Sequence, residues 1–248
     1  VDARNKLVLL WSAKSGCTFA VKWLFSHMGL LEEALAYHAW VHKYRVEKLY
    51  SSDRHEAAIQ AFCASPDTFR VVKVVRDPFK RAVSSYVHAA TCGYEDDQIA
   101  TFLGRPVDKM AGFSFREFVQ YLGSTNLNTC DIHHRLQTRM LERHYTFGSS
   151  SLINLDHSMQ ALPMLEQYLC LPQTDPNRYR DSHHHTRVST AIDTGFVGDI
   201  RFETLCHSKR TMPEYSRFYD AALEREVLNL YAEDFLRYGF STILAARH

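Results

Sequence analysis

No run of 18 apolar residues occurs in the 248-residue chain, so no segment reads as a membrane-spanning helix. Charge of one sign is not in excess either. The 29 Lys and Arg against 28 Asp and Glu leave a formal +1, so no global field gathers nucleic acid and any anion site must be local. Cysteine is sparse and unpatterned: Cys17, Cys63, Cys92, Cys130, Cys170 and Cys206 show no CxxC spacing. A chain of this length buries a core without disulfide staples, so these read as reduced thiols in a cytoplasmic setting. A start at Val1 leaves room for a trimmed signal or anchor ahead of it. There is no HExxH and no Cys/His pair at finger spacing among the 14 histidines, three of which stand together at 183–185, so no metal is called for. Repeats and low-complexity segments are missing too. What remains is ordinary for a soluble globular protein, with 46% hydrophobic and 23% charged residues, and the length suits a single domain over residues 1–248.

The pattern along the chain alternates. Residues 6–11, KLVLLW, form a short apolar run that predicts a buried strand. Over 18–30 the apolar residues Phe19, Trp23, Leu24 and Met28 recur at helical spacing, with Val21 and Phe25 widening the stripe and Gly29 as a stop. Residues 39–50 and 54–63 read as helical, and FRVVKVV at 69–75 as a second buried strand. A helix follows over 77–90, with Asp77 as N-cap and Pro78 at the first helical position, where a missing N–H costs nothing. Residues 91–113 read as loop, and 114–122 as a helix opened by the capping-box pair Ser114 and Glu117. SSLINLD at 150–156 predicts a third strand, followed by a helix to about Cys170. Residues 172–213 look irregular, and 216–240 predict one long C-terminal helix. Strands alternating with helices imply an α/β fold of three layers with a central parallel sheet, whose ligands sit outside the carboxyl ends of the strands.

Two junctions carry chemistry. In WSAKSGCT a strand meets a tight turn and a helix start. The unpaired first-turn N–H groups and the helix dipole make such a junction an anion site. Gly16 lets backbone approach a ligand, Thr18 offers a hydroxyl and Lys14 a mobile charge. The turn is P-loop-like but lacks the Walker pattern. The order here is lysine, serine, glycine, and no glycine stands five residues before Gly16. The second junction is VVKVVRDPFKRAVSSY. Arg76 ends a strand, and Ser84 lies eight residues on in the next helix. An arginine fork and a serine hydroxyl can share one phosphate.

AKSGCT followed by RDPFKRAVSSY resembles the two cofactor motifs of the sulfotransferases that use 3′-phosphoadenosine-5′-phosphosulfate (PAPS). The first is similar to PKxGxT with Ala13 in place of proline, and the second matches RxPxxRxxSxY at Arg76, Pro78, Arg81, Ser84 and Tyr86. CDIHHRLQT at 130–138 and the closing LYAEDFLRYGF look like segments of the carbohydrate branch. The resemblance implies transfer of a sulfuryl group to an acceptor hydroxyl, with adenosine 3′,5′-bisphosphate as product and no metal. Lys14, Ser15, Gly16, Cys17 and Thr18 would hold the 5′-phosphosulfate, with Lys14 facing the leaving group, and Arg76 and Ser84 the 3′-phosphate. The base would be His38 or His42, which share one face if helical, or His134. Glu33 and Glu47 stay open. The acceptor would be a carbohydrate, a glycolipid or a small molecule with a hydroxyl, with no nucleic-acid partner. A P-loop-type kinase acting on a small molecule and a catalytically silent binder of bisphosphate or glycan are the alternatives.

Overall fold

The computed structural model describes residues 1–107, 112–144, 147, 149–180, 187–188, 195–201 and 211–244. By its contacts the chain divides into two compact units, Val1–Arg76 with Gln137–His185, and Asp77–Leu136 with Thr186–His248.

The first unit carries the three-stranded sheet. Strand β1 (Leu7–Leu10) leads into helix α1 (Cys17–Met28), then α2 (Leu31–Tyr37), α3 (Val41–Tyr44), a π-helical turn Arg45–Leu49 and α4 (Asp53–Ala64). Strand β2 (Arg70–Val75) follows. Later in the same unit come β3 (Ser149–Asn154) and the helix Ser158–Tyr168. All pairing is parallel with β2 central: Leu7 stands opposite Arg70, and Arg70 opposite Ser149. The strand alternation sorts side chains to two faces. Leu7, Val72, Val74 and Ile153 pack with the apolar stripe of α1 and with Leu162 and Leu165, whereas Val8 and Val71 pack with Phe62 of α4 and Phe69. Both faces of the sheet are therefore covered, as the sequence pattern predicts.

Helix α1 forms because its stripe has somewhere to go. Phe19, Trp23, Leu24, Phe25 and Met28 are all buried. Each such side chain contributes about 1.5–3 kcal/mol, which outweighs the marginal stability of a helix this short on its own. Gly29 ends it in the left-handed conformation (φ 70°), and the Leu30 N–H returns to the Phe25 carbonyl at 2.8 Å. Glu166, fully buried, ties the helix to its neighbours. It accepts from Trp23 Nε1 at 2.9 Å and from the Thr174 N–H at 2.9 Å, and lies 3.1 Å from His27 Nε2.

The second unit is helical around an aromatic core. Helix α5 (Pro78–Cys92) is capped by the Asp77 side chain, which accepts from the Lys80 N–H at 3.1 Å. With it pack Asp96–Leu103, Phe115–Gly123, Ala221–Leu230 and Ala232–Tyr238. The capping box of Ser114 and Glu117 forms as predicted. The single long helix expected over 216–240 does not. A 3-10 turn at Tyr215–Phe218 precedes Asp220, which caps a new helix through the N–H groups of Ala222 and Leu223, and the helical run breaks again at Tyr231. Tyr231 is buried, and its hydroxyl donates to the His134 carbonyl at 2.9 Å, a tertiary demand that periodicity does not show. Part of the expected 91–113 loop is likewise the helix Asp96–Leu103. Among the described residues no helix is long and apolar enough to cross a membrane.

Candidate functional site

The turn after β1 is built from two residues in left-handed conformation, Lys14 (φ 64°) and Gly16 (φ 79°), flanking the fully buried Ser15. A side chain at Gly16 would be strained by that φ, and its Cβ would collide with the Leu155 side chain. Backbone reversed in this way directs successive N–H groups to one side, a concavity that favours anions, and the N-terminus of α1 opens from it.

One residue holds the turn against the end of β2. Ser15 Oγ donates to Gln137 Oε1 at 2.6 Å, and Ser12 Oγ to the Gln137 carbonyl at 3.1 Å. The same side-chain oxygen accepts from the Arg76 N–H at 2.9 Å, and Gln137 Nε2 donates back to the Arg76 carbonyl at 2.9 Å. Lys73, buried in the strand, reaches the Gln137 carbonyl at 2.5 Å and Glu142 at 2.8 Å. Arg76 Nη1 donates to the Lys14 carbonyl at 3.2 Å. Gln137 is thus the positioning residue that sequence reasoning missed. Its only signal was its place in the HRLQT segment.

The histidines separate. His38 and His42 do not share a helical face, because α2 ends at Tyr37 and α3 begins at Val41, with His38 extended between them. His38 is exposed, and its Nδ1 accepts from the Trp40 N–H at 2.9 Å. His42 is 3% exposed and wedged between Trp11 and Trp40, with ring centroids 5.5 Å from each. Its Nε2 lies 3.3 Å from Thr18 Oγ1, in the first turn of α1. Of the carboxylates left open, Glu33 and Glu47 are exposed, and Glu47 accepts from Tyr37 Oη at 2.6 Å. Burial is the largest influence on the Cys17 thiol and pushes it up, against the opposing pull of Lys14, Thr18 and Arg45, so it stays a thiol at neutral pH.

In the second unit, Ser84 is half-buried on α5. Two other motif residues serve packing there. Arg81 is buried and donates to the His133 carbonyl at 3.3 Å, and Tyr86 is buried and donates to the Phe113 carbonyl at 2.9 Å. His134 is fully buried, with Nδ1 2.6 Å from Ser85 Oγ and Nε2 2.6 Å from Glu95 Oε2. The set has the residue types of a hydrolytic triad, but its serine is 1% exposed and also donates to the His133 carbonyl at 2.7 Å. Replacing His134 with alanine strands Glu95 Oε2 and leaves a cavity, and the expected cost is about 2–4 kcal/mol, read by urea unfolding. Full stability with abolished turnover would instead make His134 part of the chemistry. A cleft of about 390 Å³ nearby, lined by Tyr94, Glu95, Tyr121, Cys130 and Asp131 among others, contains none of the sequence-predicted site residues. Burial pushes the Cys130 thiol there up to about 11. The histidines at 183–185 lie outside the described residues.

A left-handed turn after the first strand of a parallel sheet and an arginine just past the end of its central strand are where the two sequence motifs fall. Residues 1–241 match the family model described as "Sulfotransferase family". No curated protein and no solved structure matches the chain. The chain belongs to the sulfotransferase family, enzymes that draw their sulfuryl group from PAPS.

Proposed function

We propose that the turn at 12–16 and the first residues of α1 hold the 5′ end of PAPS, and that His42 takes the proton from a hydroxyl of a carbohydrate-type acceptor. The observation that carries this reading is the meeting of three things within one unit. These are the left-handed turn at Lys14 and Gly16, the N-terminus of α1, and a buried histidine whose Nε2 stands 3.3 Å from Thr18 in that first turn. The turn fits an anionic group on its own terms, since its two left-handed residues turn backbone N–H groups to one side ahead of the N-terminus of α1.

The donor supplies a sulfuryl group activated by its phosphosulfate anhydride. The chain supplies the rest. The Ser15 N–H is spent on the Ser12 carbonyl at 3.1 Å, so the N–H groups at 16–18 and the Lys14 ammonium are the donors for the charge that develops on the departing phosphate. Neutral His42 accepts the acceptor proton as the hydroxyl attacks. The RDPFKRAVSSY motif assigns the 3′-phosphate to Arg76 and Ser84. A sugar acceptor is supported by the rings beside His42. Trp40 packs on it while 43% exposed, which offers a flat apolar face to the C–H face of a pyranose. A glycolipid headgroup or a small hydroxylated molecule would use the same face.

The kinase alternative has no support in the family match, and a cheap experiment separates it. Adenosine 3′,5′-bisphosphate without magnesium is expected to raise Tm by several degrees at 100 times its Kd, as about 2.7 kcal/mol of linkage requires. Mg-ATP at the same concentration is expected to leave Tm in place. The reverse result would sink the donor assignment.

A further inference from the structure

Arg45 is the residue at which helical geometry changes. The Tyr50 N–H bonds to the Arg45 carbonyl at 3.0 Å, the i→i+5 contact of a π turn, and such single turns recur at functional sites. The guanidinium lies over the Trp11 ring at 4.7 Å and beside Tyr50 at 5.3 Å. Its Nε and Nη1 are buried and have no hydrogen-bond partner. Arg45 is half-buried, and two buried donors left unmet on it are costly, which calls for a group that meets them. Where that ligand sits follows from the contacts. Trp11, which carries Arg45 on its ring, also packs against His42, and His42 reaches Thr18 in the first turn of α1. Trp11 is itself the residue before the anion turn. The field of Arg45 is also felt at the Cys17 thiol, the first residue of α1.

We propose that Arg45 is a ligand for the sulfuryl oxygens of the donor, in addition to the lysine and the helix N-terminus that hold its 5′-phosphate. The proposal rests on the reading of the turn given above. It places the planar fork of Arg45, which shares Trp11 with the base His42, on the group that moves, where charge on three oxygens needs donors. The nucleotide product, which lacks the sulfuryl group, leaves those donors unmet again, so Arg45 discriminates the loaded donor from the spent one.

The test compares affinities for PAPS and for adenosine 3′,5′-bisphosphate by calorimetry, with no acceptor present, in the wild type, Arg45→Met and Arg45→Lys. Methionine keeps a long side chain on Trp11 and removes the charge. The expected result is a loss of about tenfold or more in preference for PAPS over the bisphosphate in R45M, with bisphosphate affinity within about threefold of wild type. R45K is expected to fall between, since it keeps the charge and loses the fork. The Tm of R45M is expected to stay within a few degrees of wild type, because two unmet buried donors are removed together with the ring contacts to Trp11 and Tyr50. An unchanged preference in R45M, or an equal loss of both affinities together with a lower Tm, would overturn the proposal alone. A wild-type chain that binds neither nucleotide would overturn the donor site itself, and Arg45's role with it.

Discussion

Lys14→Ala is expected to lower kcat by on the order of 100-fold or more, with the fold intact. The backbone makes the argument sharper than charge alone. Lys14 sits at φ 64°, a conformation that costs a residue with a Cβ roughly 1–2 kcal/mol, and glycine would adopt it without strain. The Arg76 guanidinium holds that backbone in place through the Lys14 carbonyl at 3.2 Å, so the strain is sustained by the surrounding structure. A strained position occupied by lysine implies that the side chain is needed. Lys14→Gly separates the two effects. Relief of the strain offsets the extra freedom of an unfolded glycine, so Tm is expected to stay within a few degrees of wild type while turnover falls as far as in K14A. Single-turnover transfer from labelled PAPS and a thermal melt read the two quantities. A K14G protein with kcat within threefold of wild type would show that the ammonium does not serve the leaving group.

His42→Asn is expected to cost between about 100-fold and 10,000-fold in kcat, the range for loss of a positioned general base. Asparagine keeps a planar polar group between Trp11 and Trp40 but lacks the ring, so some packing is lost along with the proton acceptor. The readout that a merely structural histidine would not move is the pH profile. A base must be neutral to work, so wild-type kcat falls as pH drops through the titration of His42, and H42N is expected to lose that acidic limb. His38→Asn is the comparator. His38 is exposed and orders its own turn through the Trp40 N–H, so its loss is expected to cost less than about tenfold. Loss of the acidic limb in H38N and its retention in H42N would move the assignment to His38.

The elements that were legible in the sequence are those decided locally. The strands β1, β2 and β3 and helix α1 follow from short apolar runs and a helical stripe, and the two motifs sit at the strand ends where a parallel sheet gathers ligands. What was not legible depends on partners far along the chain. Gln137 joins Ser12, Ser15 and Arg76 across 125, 122 and 61 positions, and no window around it shows this. The π turn at Arg45 looks like helix in any propensity or period argument, since the change is one extra residue in a hydrogen-bonded ring. The pairing of His38 and His42 by i, i+4 spacing fails for the same reason: the chain leaves helical geometry between them. His134 was attractive because histidine suits acid–base work, yet its fully buried site between Ser85 and Glu95 is a property of the packed second unit.

The most direct test of the account is a crystal structure of the chain with adenosine 3′,5′-bisphosphate. The account predicts the 5′-phosphate on the N–H groups of residues 16–18 with Lys14 Nζ within hydrogen-bond distance of it, and the acceptor-facing side of that phosphate open toward His42. A nucleotide bound elsewhere, with the turn between Trp11 and Cys17 empty of phosphate, would contradict it.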